Sequence, residues 1–113
     1  MKVGIDVVAV ARLDRLATEA PGALERIFTE RELRRCTGRR AAERLAARYA
    51  AKEAVLKALG IGISGRLRLT DVEIVREPSG RPTVTLHGPL AGRGPVEVSL
   101  THSEGMAMAV AVC

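Results

Sequence analysis

Over residues 1–10, side chains alternate, with Val3, Ile5 and Val7 on one side and Gly4, Asp6 and Val8 on the other. This period of two predicts a strand with both sides partly buried. A short helix is expected over 12–20, ended by Pro21 and Gly22. Thr29 is followed three residues later by Glu32, the capping-box pattern, so a second helix starts at Thr29 and runs to about Cys36. Thr37-Gly38 breaks it. Residues 40–59 are rich in Ala and Leu and stop at Gly60, which predicts a longer helix.

On that long helix Leu45, Tyr49, Leu56 and Leu59 form an apolar stripe. Lys52 projects from within the stripe, and Glu53 and Lys57 sit together on its border. Strand pattern returns over 68–77, with β-branched Val72, Ile74 and Val75. Pro78-Ser79-Gly80 is a turn, and 82–87 pairs back as a hairpin partner. Residues 88–95 read as a loop. Val96, Val98, Leu100 and His102 share one strand face, Ser103-Glu104-Gly105 turns the chain, and 106–112 is the last strand. The expected class is α+β in a single domain over 1–113: a strand, helices including one long one, then two antiparallel hairpins.

Composition adds a constraint on the core. The chain has 113 residues, and Phe28 and Tyr49 are its only aromatics. Ala, Val and Leu must fill the interior, and so small a core gains from association with other copies. No stretch approaches a transmembrane helix, and the first residues lack the apolar core and cleavage region of a signal peptide. Cys36 and Cys113 make no bridge framework, and no His or Cys stands at zinc-ligand spacing. The expected location is the cytoplasm.

The net charge is +5, and fifteen of the eighteen basic residues are Arg. Seven lie within 31–48: Arg31, Arg34, Arg35, Arg39, Arg40, Arg44 and Arg48. The planar guanidinium suits phosphate and carboxylate, so a nucleotide, a nucleic acid or an acidic protein is the expected kind of partner. A solvated helical face accounts for the same residues equally well.

Gly60, Gly62 and Gly65 spell G-x-G-x-x-G, but the pattern follows a helix and leads towards a strand, the reverse of a dinucleotide fingerprint. Asp6 is more informative, because an acid inside an apolar strand needs a partner such as a metal or a cation. Glu53 and Lys57 are spaced for a favourable surface pair. Asp6 and Glu53 together could instead hold Mg²⁺, whose remaining positions go to water and substrate phosphates. Lys52, Lys57 and Arg48 would suit those phosphates. His102 reads either as a core histidine or, beside a turn and Ser103, as a ligand contact. Neither cysteine has a clear base beside it.

Four segments then carry a resemblance: Gly4-Ile5-Asp6-Val7-Val8, Phe28-Thr29-Glu30-Arg31-Glu32, the block from Arg48-Tyr49-Ala50-Ala51-Lys52-Glu53 through Lys57-Ala58-Leu59-Gly60, and Val98-Ser99-Leu100-Thr101-His102. Their order resembles the holo-acyl-carrier-protein synthases, small 4′-phosphopantetheinyl transferases, over almost the whole chain. The resemblance implies transfer of phosphopantetheine from coenzyme A to a serine of an apo acyl carrier protein, with Mg²⁺ and release of 3′,5′-ADP. It also implies a homotrimer with coenzyme A between subunits.

By the same resemblance, Asp6 and Glu53 would hold the metal, and Glu53 and Lys57 would be catalytic, Lys57 at the pyrophosphate. Arg48 and His102 would lie near the 3′-phosphate, with Lys52 and Gly60 also at the cofactor, and Arg12 would meet the carrier protein. Met106 stands where the family commonly has an aromatic, and the 88–95 connection is short for it. Rival classes are a nucleic-acid binder and a scaffold for an acidic partner. Stacking aromatics and a binding motif are missing for the first, and neither needs Asp6, Glu53 and Lys57. The expectation is therefore no nucleic-acid and no membrane partner.

Overall fold

The computed structural model describes residues 1–62 and 67–113, so Gly65 of the glycine pattern lies outside the described residues. Its elements are β1 (Val3–Ala9), α1 (Val10–Glu19), α2 (Ala23–Ile27), α3 (Glu30–Arg35), α4 (Ala41–Leu59), β2 (Val72–Arg76), β3 (Pro82–Leu86), β4 (Glu97–Ser103) and β5 (Met106–Val112). Single 3₁₀ turns occur at Leu69–Asp71 and Gly88–Leu90. The expected α+β order is present. Among the described residues no helix is long and apolar enough to cross a membrane.

Local rules account for most boundaries. The Thr29 hydroxyl accepts from the Glu32 amide, and the Glu32 carboxylate accepts from the Thr29 amide at 2.8 Å, so both halves of the capping box are formed. Gly60 ends α4 with a left-handed φ of 71°. Glu104 and Gly105 both take positive φ, which lets a two-residue loop join β4 to β5 with the natural strand twist. The 88–95 connection is not plain loop, because Gly88–Leu90 makes a helical turn that buries Leu90. Helix α2 was not legible, since five residues are too few to show a period.

The hairpin β2–β3 stands alone, while β1 joins β4–β5 in an antiparallel sheet of order β1-β5-β4. Asp6 lies opposite Ala109, and Ala109 opposite Leu100. Helix α4 packs on the face that carries Gly4, Asp6 and Val8. Ala107, Ala109 and Ala111 are fully buried there, against Ala50, Ala51, Ala54 and Ala58 of the helix. Small side chains on both layers allow a very close approach. A Cβ built on Gly4 would stand 1.9 Å from the Ala54 carbonyl oxygen, so no other residue fits without moving the helix backbone.

The opposite sheet face departs from the sequence expectation that both sides of the first strand are partly buried. Val3, Ile5 and Val7 are 52–59 % exposed, and Met106 and Met108 beside them are also exposed. Nothing among the described residues covers that face.

Candidate functional site

Two groups of polar side chains flank α4. On the β1 side, Asp6 is largely buried, and its Oδ1 lies 3.2 Å from Lys57 Nζ, which also donates to the Ile5 carbonyl at 3.0 Å. The close approach at Gly4 brings β1 against the helix, and Asp6 meets it at Lys57, one turn on from Glu53. Burial pushes the Glu53 carboxyl above its usual range, and the Asp6 charge pushes it further, against the pull of Lys57 and Arg12. Lys57 therefore serves Asp6: no ion pair joins Glu53 to Lys57 within 4 Å, in place of the expected surface pair.

Arg12 belongs to the same group. Its guanidinium lies 5.2 Å from the centre of the Tyr49 ring, and its Nη2 donates to the Tyr49 hydroxyl at 3.4 Å. Burial raises the Tyr49 phenol's pKa, opposed by Arg12 and reinforced by Glu53 and Asp6. Tyr49, read from the sequence as part of the core stripe, thus reaches the edge of the carboxylate group with its hydroxyl.

On the β4 side a cavity of about 390 Å³ is lined by Arg35, Arg40, Arg44, Arg48, Arg76 and His102, with Glu43 the one acid among the described lining residues. Arg48 is 5 % exposed; its Nη1 donates to the Arg44 carbonyl at 3.4 Å, and its Nε is buried with no partner among the described residues. A buried guanidinium donor left open among like charges is a place for an anion. His102 is not a core residue: its ring is 47 % exposed, and its Nδ1 lies 3.0 Å from Glu43 Oε2, within ion-pair distance. The sequence did not point to Arg76 or Glu43. Nothing local marks them, because Arg76 arrives from a distant strand and Glu43 reads as an ordinary first-turn acid.

Two residues expected at the cofactor have their polar groups engaged within the chain. Lys52 is fully buried, and its ammonium donates to Glu32 Oε1 at 2.8 Å, to the Leu69 carbonyl at 3.0 Å and to the Val72 carbonyl. All three protons are used inside the core, so none remains for a phosphate. Gly60 is the α4 cap, and its amide is taken by the helix's own last carbonyls. Met106, on the outer sheet face, does not line the arginine cavity.

The two flanks face apart. At about 100° per residue, Arg48 and Glu53 point about 140° from each other around α4. One flank offers two carboxylates and an ammonium, the chemistry of a divalent cation on phosphate oxygens. The other offers guanidinium groups around a cavity, chemistry suited to a phosphate.

The chain matches the family model of the 4′-phosphopantetheinyl transferase superfamily over residues 2–113. It is 47 % identical to a holo-[acyl-carrier-protein] synthase of Moorella thermoacetica, over 99 % of this chain and 92 % of that protein. Its fold is similar to the Helicobacter pylori holo-[acyl-carrier-protein] synthase solved with coenzyme A, at TM-score 0.86 and 31 % identity over 97 % of both chains. A Bacillus anthracis synthase solved with CoA (3′,5′-ADP) gives TM-score 0.81 and 31 % identity, over 97 % of this chain and 92 % of that one. With both flanks of α4 furnished as described, this chain belongs to the 4′-phosphopantetheinyl transferase superfamily, among its holo-[acyl-carrier-protein] synthases.

Proposed function

We infer that this chain moves 4′-phosphopantetheine from coenzyme A to a serine of an apo acyl carrier protein, using Mg²⁺ and releasing 3′,5′-ADP. The observation that carries this is the pairing of an acidic, lysine-bearing flank with an arginine pocket holding an open buried donor. Coenzyme A has a pyrophosphate for the first and a 3′-phosphate for the second.

Asp6 and Glu53 fit a magnesium ion, since a cation between them relieves the mutual repulsion that helps to raise Glu53. Two carboxylates leave positions for water and pyrophosphate oxygens, as this ion prefers. When bound, the ion neutralises the pyrophosphate and stabilises charge on the leaving group. Lys57 reaches the same oxygens with its ammonium. The carrier serine gives its proton to Glu53 or a neighbouring water. On the other flank Arg48 and His102 hold the 3′-phosphate. Arg12, at the edge of the acidic flank, meets the acidic carrier and speeds its encounter.

Because the flanks face apart, a coenzyme A molecule that uses both is best served by two copies of the chain. The uncovered apolar sheet face supports association, and the reading is a homotrimer, as the sequence resemblance implies. A cytoplasmic location accords with this activity, and neither nucleic acid nor membrane is a partner it needs. The test is mass spectrometry of an apo carrier protein incubated with this protein, coenzyme A and Mg²⁺. The expected gain is one phosphopantetheine, about 340 Da, abolished by a chelator. An unmodified carrier in the presence of folded protein refutes the reading.

A further inference from the structure

The arginine cavity contains a carboxylate, which is the wrong charge for a site that takes phosphate. Glu43 lies in the first turn of α4, where its charge also faces the helix N-terminus. Five guanidinium groups share the cavity, yet no Arg lies within 4 Å of its carboxylate among the described residues. Its ion-pair partner is His102, through Nδ1 at 3.0 Å. A carboxylate only accepts, so an ion pair at this distance favours the hydrogen on the ring nitrogen that faces it, Nδ1.

A neutral imidazole with its hydrogen on Nδ1 presents a lone pair at Nε2. That nitrogen would repel a phosphate oxygen. The doubly protonated ring presents Nε2–H instead, and the Glu43 charge compensates it from the far side. Arg35, Arg40, Arg44, Arg48 and Arg76, which face the same space, all oppose a further positive charge. Glu43 is the group that offsets them at the ring.

We propose that Glu43 is a positioning residue for 3′-phosphate recognition: it orients His102 and balances its charge, so that Nε2–H donates to the phosphate beside Arg48. This deepens the reading of the cavity as the 3′-phosphate site and rests on it. It makes a prediction opposite in sign to simple charge counting. Removing an acid from a basic cavity ought to tighten anion binding if charge alone mattered; here it weakens it.

The test is calorimetric binding of 3′,5′-ADP and of 5′-AMP, which lacks the 3′-phosphate, to wild type, Glu43→Ala and Glu43→Gln. Wild type should prefer 3′,5′-ADP. Glu43→Ala should bind it about tenfold more weakly, the scale of one charge-assisted hydrogen bond, with 5′-AMP unchanged. Glu43→Gln keeps an acceptor for Nδ1–H without the charge and should fall between the two. Nitrogen chemical shifts of His102 in the 3′,5′-ADP complex should show both ring nitrogens protonated in wild type, and one in Glu43→Gln. If Glu43→Ala binds 3′,5′-ADP as tightly as wild type or more tightly, while wild type still prefers it to 5′-AMP, the role of Glu43 is overturned and the pocket stands. If wild type does not distinguish the two nucleotides, the 3′-phosphate reading itself fails, and the role of Glu43 with it.

Discussion

Glu53 and Lys57 have the spacing of a solvated ion pair on a helix, and that spacing alone could not say which way Lys57 turns. What decides it is Asp6 on another element, within 3.2 Å of the ammonium because Gly4 lets the strand lie against the helix. Asp6 itself was legible, as an acid in an apolar strand. Its partner was legible only as a type. Glu53→Gln and Asp6→Asn keep side-chain volume but remove a charge each. Both should lower turnover by at least about a hundredfold while far-ultraviolet circular dichroism is unchanged. Raising Mg²⁺ should recover part of the Asp6→Asn loss. Near-normal turnover in either folded variant would remove the pair from the metal site.

At the scale of elements, α4 shows how an alanine-rich helix hides its burial. Twelve of its nineteen residues are buried, on nearly every side, so the stripe of large residues visible in the sequence was only part of its packed surface. Lys52 is one consequence. Its position in the stripe was clear, but its meaning depended on Glu32. Glu32 caps α3 at Thr29, meets Lys52 through the same oxygen, and accepts from the Ile74 amide at 2.8 Å through the other. The capping box announced half of that network; the other half runs between distant segments and leaves no local mark. Burial pulls the Lys52 pKa down, and Glu32 offsets part of that.

Lys52→Ala should therefore cost about 3–5 kcal/mol, because it strands a buried carboxylate. The double change Lys52→Met with Glu32→Gln should cost less than the sum of its parts. Urea unfolding measures both, and strict additivity would show that the pair is not coupled.

For the whole molecule, each hairpin could be read from turns and alternation, but the sheet order could not. The last strand, β5, lies between β1 and β4, a pairing across nearly the full chain that depends on Ala107, Ala109 and Ala111 being small enough to sit beneath α4. The same alternation gave the correct faces of β1 yet mistook the cover of one. Val3, Ile5 and Val7 look like core in the sequence and are exposed in the single chain. Hydrophobicity records that a face wants cover, not whether the chain or a second copy supplies it.

The angle between the two flanks of α4 has a genetic consequence. If every site takes its carboxylates from one chain and its arginine pocket from the next, two inactive chains can rescue each other. A Glu53→Gln chain still offers an intact pocket, and a chain carrying Arg44→Glu with His102→Ala still offers intact carboxylates. Co-expressed with different tags and mixed at random in a closed ring, they should rebuild about a quarter of the sites. Purified through both tags, the mixed assembly should modify carrier protein where neither parent does. A mixed assembly as inert as its parents would place both flanks of each site on a single chain.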